Sequence, residues 1–229
     1  MKKLLLATVA SLSLGAVATT SHAADLYQPA PSVNMYASVF GGLSLMDDYN
    51  AAFITGGGTV FPYTRSFDKG FIAGGAIGLE FMPGWRAEVE AAIFETDFDR
   101  TIGQVLGDVA GIGSMQAVTV LGNIWYDFDL GSGLRPYVGG GVGVGFVDSD
   151  HTPTGAIEEW NDSDTVLAYQ VGAGVKFAVS DAIDIDASYR FRGLSDVGFS
   201  SSIGGYTVDS EDVYTHVIQV GLAFKFGAF

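Results

Sequence analysis

Val213-Tyr214-Thr215-His216-Val217-Ile218-Gln219-Val220-Gly221-Leu222-Ala223-Phe224-Lys225-Phe226 is the stretch whose reading decides the fold. Tyr214, His216, Ile218, Val220, Leu222, Phe224 and Phe226 fall on one face, and Thr215, Gln219, Gly221, Ala223 and Lys225 on the other. A period of two over so many residues is a strand and not a helix. A soluble barrel would hide its large apolar residues inside. Here the face of small and polar residues reads as the interior, the inverted pattern of a barrel whose outer solvent is lipid.

The same alternation marks eight segments, at 35–46, 69–82, 85–97, 114–128, 135–147, 164–179, 183–195 and 213–226. Three connections are tight: Pro83-Gly84, Asp129 to Leu134, and Ser180-Asp181. Four are long, at 47–68, 98–113, 148–163 and 196–212. Short turns at one end and long loops at the other predict an all-β fold, an eight-stranded antiparallel up-and-down transmembrane β-barrel. The sixth segment offers Leu167, Tyr169, Val171, Ala173, Val175 and Phe177 to lipid, and the seventh Ile183, Ile185, Ala187, Tyr189 and Phe191. The fourth offers Val118, Val120, Ile124, Tyr126 and Phe128, with aromatics toward strand ends as an interfacial girdle requires.

Export is expected from the first residues. Met1-Lys2-Lys3 is positive, Leu4 to Ala18 mostly apolar, and Ser21-His22-Ala23 a small-x-small cleavage site, so residues 1–23 read as a signal peptide. A leader over 24–34 and a barrel over 35–229 follow. No later segment offers 18 consecutive apolar residues, so no transmembrane helix is expected. With 0 cysteines, stability has to come from barrel closure. Removing Lys2 and Lys3 from the 11 basic residues leaves 9 against 26 acidic ones, a net charge of −17. Such acidity argues against nucleic acid as a partner.

The inward faces carry charge of both signs. Glu80 lies across the Pro83-Gly84 turn from Arg86, and Glu88 and Glu90 follow on the same face. Lys176 lies opposite Asp184 or Asp186, Arg190 and Arg192 continue that face, and Lys225 is on the neighbouring strand. Five positive and five negative side chains are expected to neutralise one another inside, which argues against a strongly ion-selective pore.

Trp85-Arg86-Ala87-Glu88-Val89-Glu90 resembles the R-x-E-x-E strand of the opacity-type outer-membrane β-barrel proteins. Asn123-Ile124-Trp125-Tyr126-Asp127-Phe128 is similar to their N-x-x-Y-D-F strand, and Arg135 to Val144 to the P-Y-x-G-x-G-x-G strand that follows. The start Ala24-Asp25-Leu26 with Pro29-Ala30-Pro31 is similar to that of alphaproteobacterial members. The resemblance implies an eight-stranded barrel of the small OmpA/OmpX architecture in the outer membrane of a Gram-negative bacterium. It implies no single activity, since members have been linked to envelope integrity, adhesion and weak porin behaviour. It also implies a terminal aromatic as assembly signal, and either Phe226 or, in a shifted register, Phe229 fits.

Enzymatic chemistry finds little support. A serine nucleophile needs a histidine base and a group to orient it, and His216 has no serine beside it on its strand. Gly139 to Gly145 lacks the G-x-x-x-x-G-K-[ST] pattern and reads as a strand with a small-residue interior. Asn161-Asp162-Ser163 is a chance glycosylation sequon. Asp148, Asp150, Glu158, Glu159, Asp162 and Asp164 around the third long loop, and Asp196, Asp209, Glu211 and Asp212 around the fourth, lack cation-ligand spacing and read as a solvated negative surface. No cofactor or metal is expected. Phe53, Phe61, Tyr63, Trp160, Phe199 and Tyr206 are expected as exposed loop aromatics open to a host or envelope partner. The other expected partners are outer-membrane lipid, lipopolysaccharide and the barrel-assembly machinery. A structural, loop-bearing envelope role is expected first, an adhesin or surface-recognition protein second, and a small-solute channel third; an eight-stranded interior is about filled by side chains.

Overall fold

The computed structural model describes residues 33–54, 58–103, 107–110, 113–151, 160–197, 207–208 and 211–226. In chain order the strands are β1 (Asn34–Met46), β2 (Tyr49–Ile54), β3 (Val60–Phe67), β4 (Gly70–Met82), β5 (Trp85–Gly103) and β6 (Gly107–Ala110). They continue with β7 (Gly113–Asp127), β8 (Leu134–His151), β9 (Trp160–Ala178), β10 (Ile183–Val197), β11 (Thr207–Val208) and β12 (Glu211–Phe226). Eight of them, β1, β4, β5, β7, β8, β9, β10 and β12, pair antiparallel with their neighbours in turn, and β12 returns to β1, so the sheet closes.

Register fixes the shape. From Tyr36 the partners run through Gly78, Glu88, Asn123, Gly141, Gln170, Arg192 and Thr215, and the circuit re-enters β1 at Met46, ten residues from its start. A shear of ten on eight strands, with the usual strand spacing and rise, tilts the strands by about 40°. The tilt widens the lumen beyond that of an eight-stranded barrel with a shear of eight, which gives long side chains room to cross it.

At the short-turn end the backbone knits adjacent hairpins together. Asp127 N–H donates to Gly84 O at 2.7 Å, Ala178 N–H to Gly133 O at 3.1 Å, and Lys225 N–H to Ala182 O at 2.8 Å. At the other end three connections expected as loops contain strands, β11 in the last of them pairing with β2. β2 and β3 form a hairpin over 49–67, β3 pairs with the end of β5, and β6 pairs with β5 on its other side. Residues such as Val60, Phe61, Tyr63, Thr64, Thr101 and Ile102 favour strands by shape. They lack the sustained greasy-out alternation that marks a membrane strand, because this part of the wall rises clear of the apolar band.

The outer wall carries that band. Val89 and Val220 are each 62% exposed, and Ile77, Val142, Val171, Ile185, Leu222 and Phe224 are exposed with them. Inside there are two layers. Toward the long connections Ile72, Phe94, Met115, Leu121, Leu194 and Val217 pack into one apolar cluster. Toward the short turns the buried side chains are charged and polar. The sequence reading anticipated the second layer and not the first, because inward Leu121 or Val217 sits on a strand whose outward face is equally greasy.

The band and the protruding wall answer differently to charge. Leu222→Arg, in the middle of the outward series of β12, should destabilise the protein in lipid vesicles by about 2–4 kcal/mol. Val60→Arg, 55% exposed on β3, should change stability little. Urea unfolding in vesicles measures both, and equal effects would contradict a lipid boundary between the two positions.

The buried ion network and candidate functional site

Alternation on β5 sends Arg86, Glu88 and Glu90 inward while Ala87 and Val89 face out. Glu90, 1% exposed, accepts hydrogen bonds from Arg190 Nη1 at 2.9 Å and from Arg192 Nη2. Asn123 Nδ2 and Gln170 Nε2 donate to the same carboxylate at 3.3 and 3.4 Å. Arg192 also donates to Thr119 Oγ1 at 3.3 Å, and the Arg190 guanidinium lies 4.3 Å from the Trp125 ring centroid.

One residue pair nearer the short turns, Glu88 takes the Tyr36 hydroxyl at 2.6 Å, Trp125 Nε1 at 2.7 Å and Asn123 Nδ2 at 3.1 Å. Arg86 donates from Nε to both oxygens of Asp127 at 2.9 Å and from Nη1 to the Tyr36 hydroxyl at 3.0 Å. Lower still, Lys176 Nζ stands 3.5 Å from Glu80, 3.6 Å from Asp184 and 3.8 Å from Asp127. Asp184, fully buried, accepts from Lys225 Nζ at 2.9 Å and from Arg135 Nη2, and Tyr137 donates its hydroxyl to Asp186 at 3.0 Å. A cavity of about 590 Å³ at the short-turn mouth is lined by Glu80, Arg86, Asp127, Asp129 and Arg135 beside the rim ring of Trp85.

Gly78 and Gly174 make room for the two tyrosines. A Cβ on Gly78 would come within 2.4 Å of the Tyr36 ring, and one on Gly174 within 2.6 Å of the Tyr137 ring. Both rings reach charged partners because the wall opposite them has no side chain.

Sequence reasoning considered neighbouring strands; Lys176 does lie by Asp184, but other charges pair differently. Glu80 is the register partner of Arg86, but Glu80 lies by Lys176 while Arg86 grips Asp127. Glu90 on β5 meets Arg190 and Arg192 on β10, two strands that do not pair. Contacts across a narrow lumen are invisible to strand-by-strand pairing. Asp127 and Arg135 were missed as ion partners, as were Tyr36, Asn123, Trp125, Tyr137 and Gln170 as polar ones. Parity marks several of them, since Asn123, Trp125 and Asp127 alternate with the outward Ile124, Tyr126 and Phe128. With Asp127 and Arg135 the layer holds six carboxylates and six cations.

Tyr63, expected as an exposed loop aromatic, is 7% exposed within the apolar cluster, with the Arg65 guanidinium 5.7 Å from its ring centroid. The hydrophobic cluster continues above the band and draws the ring in. Residues 1–32, Phe199, Tyr206 and Phe229 lie outside the described residues, as do the side chains of Phe53 and Trp160. No group of three or more metal-ligating side chains occurs among the described residues.

A closed barrel with a lipid-facing band outside and paired charges inside defines an outer-membrane β-barrel protein. Residues 6–226 match the family described as outer membrane protein beta-barrel domain, and the chain belongs to that family. It is 30% identical over 160 residues to outer membrane protein PagN of Salmonella typhimurium, a match covering 64% of this chain and 66% of PagN, just under two thirds of its length. Among solved structures it is similar in fold to OprG of Pseudomonas aeruginosa, with a TM-score of 0.56, 16% identity, and coverage of 84% of this chain and 96% of that one. Neisserial surface protein A gives a TM-score of 0.52 at 18% identity, covering 84% and 97%. The protein is an integral protein of the Gram-negative outer membrane.

Glu90→Gln removes the counter-charge shared by Arg190 and Arg192 and should cost about 3–5 kcal/mol, the penalty for leaving buried charge unpaired. Val89→Leu on the lipid side should cost less than about 1.5 kcal/mol. Urea titration in micelles ranks them, and the reverse order would overturn the assigned faces.

Proposed function

We propose that the protein is a non-enzymatic scaffold of the outer membrane, a rigid barrel that contributes to envelope integrity and holds its long connections outside the cell. The filled interior carries this reading. An apolar layer lies over a layer of paired charges, and both are built from buried side chains that cross the lumen above the mouth cavity. A transport route would need a continuous polar path, and Leu121, Phe94 and Val217 interrupt it. Planar-bilayer conductance of the refolded protein is expected to show no sustained unit currents; steady ohmic conductance would refute the scaffold reading in favour of a channel.

A second reading, surface recognition through the long connections, is favoured by where the charge lies. The ion layer takes six of each sign, so the excess acidity lies elsewhere. The long connections and the strand ends beside them carry 17 carboxylates and only Arg65, Lys69 and Arg100 as basic residues. A basic partner suits that surface. Protease added to intact cells is expected to cut, where it cuts at all, within 47–68, 98–113, 148–163 or 196–212. Cleavage at Pro83-Gly84 without permeabilisation would reverse the orientation.

Assembly is assigned to Phe226. It pairs with Met35 at the closing seam and ends the outward series of β12. A chain ending at Phe226 should reach the outer membrane and migrate as a closed barrel in unboiled gels. A chain ending at Ala223 should not, since it loses Phe224, Phe226 and the Lys225–Asp184 bond and leaves an unpaired edge in lipid. Failure of the longer variant would assign the signal to Phe229.

A further inference from the structure

The outer wall carries a cluster that neither the lumen nor the loops use. Five rings crowd one sector toward the long-connection edge of the apolar band: Tyr169 on β9, Tyr189 and Phe191 on β10, and Tyr214 and His216 on β12. Phe191 stacks on Tyr214 with centroids 5.5 Å apart, and Tyr189 stacks on His216 at 6.0 Å. Phe191 and His216 meet at 5.4 Å, which joins the two stacks. Tyr169 lies across Gly193, where a Cβ would come within 2.3 Å of its ring. The glycine is what lets this ring lie flat between the two neighbouring strands.

The polar atoms of these rings fall into two bonded groups. The Tyr189 hydroxyl and His216 Nδ1 are 2.6 Å apart, and His216 Nε2 lies 3.4 Å from Asp47 at the end of β1. Tyr214 donates its hydroxyl to Asp212 at 3.0 Å. Tyr189 is nonetheless 46% exposed.

An ordinary interfacial girdle spreads its aromatics round the barrel. Here they are concentrated. Toward the same edge β4 and β8 each present one exposed ring, Phe71 and Phe146, and β5 and β7 present Glu95 and Gln116. Leu43 and Ile218 below the cluster are exposed and apolar, which puts the rings at headgroup level of the leaflet on the long-loop side. That leaflet is the outer one in the orientation common to these barrels.

We propose that this sector is a binding platform for the sugar headgroup of a glycolipid in the outer leaflet. A pyranose ring offers C–H groups on its faces and hydroxyls at its rim. Stacked aromatic faces suit the former, and tyrosine hydroxyls, imidazole and carboxylates suit the latter. Phosphate is the wrong ligand: Asp47 and Asp212 flank the cluster, and the basic residues outside the lumen, Arg65, Lys69 and Arg100, belong to β3, β5 and the β3–β4 junction. The platform does not depend on the loop-scaffold reading, since it uses the wall alone.

Native mass spectrometry of the folded protein tests it, with a dephosphorylated diglucosamine glycolipid and a phospholipid of matched acyl chains as probes. The protein should retain the glycolipid at least about tenfold better. The double variant Tyr189→Leu/Phe191→Leu should lose most of that preference, while Phe71→Leu/Phe146→Leu keeps it. Tyr189→Phe/Tyr214→Phe, which preserves the rings and removes two hydroxyls, should give a partial loss and serves if the leucine variant fails to close on unboiled gels. Equal loss in the two leucine variants, no preference over phospholipid, or retention only when the glycolipid carries phosphate would each overturn the proposal.

Discussion

Closure of β12 onto β1 is the constraint on which the rest depends. In hydrocarbon an unpaired backbone N–H or C=O has no water to turn to, so a sheet survives there only without edges. The seam pairs residues 35–46 of β1 with 215–226 of β12, the full length of β1 but for its first residue. Its register, with the seven others, sets the shear of ten and so the width of the lumen. A lumen of that width is too narrow to stay open and too wide to be left empty, and its filling follows from geometry before any functional demand.

How it is filled divides the barrel in two. Buried ion pairs are weak contributors to stability, because desolvation offsets much of their attraction. Here the most buried charges have several partners: Glu90 two guanidiniums, Asp184 three cations, Lys176 three carboxylates. Lys176 Nζ has ion-pair neighbours on three sides and yet no hydrogen bond of good geometry. Two of those neighbours, Glu80 and Asp127, line the mouth cavity. In the apolar layer Val217, Ala117 and Val147 are almost wholly buried, packed as in a soluble core.

What the sequence made legible was whatever obeys the period of two. Strand count, the greasy outer faces and the inward side of Arg86, Glu88, Glu90, Arg190 and Arg192 all follow from alternation along single strands. Partners across the lumen do not. Nothing local in Glu90 specifies Arg192, 102 residues later on a strand that never pairs with β5. The apolar layer was hidden for a related reason: where a membrane strand points Leu121 or Val217 inward, both faces are hydrophobic and the alternation fades. The hairpin of β2 and β3 was hidden because, above the band, no lipid imposes the pattern.

The distribution of charge ties these parts to a role. Six carboxylates and six cations are spent on one another inside the lumen, so the interior carries no net charge to favour ions of one sign. The remaining acidity is carried by the surface, mostly at the long-connection end. On the wall between these regions charge is scarce, and aromatic rings with hydroxyls take over where hydrocarbon gives way to headgroups. Three environments, a packed lumen, a bilayer and water, thus select three kinds of surface on the same strands, and a side chain's parity and height on its strand decide which of them it meets.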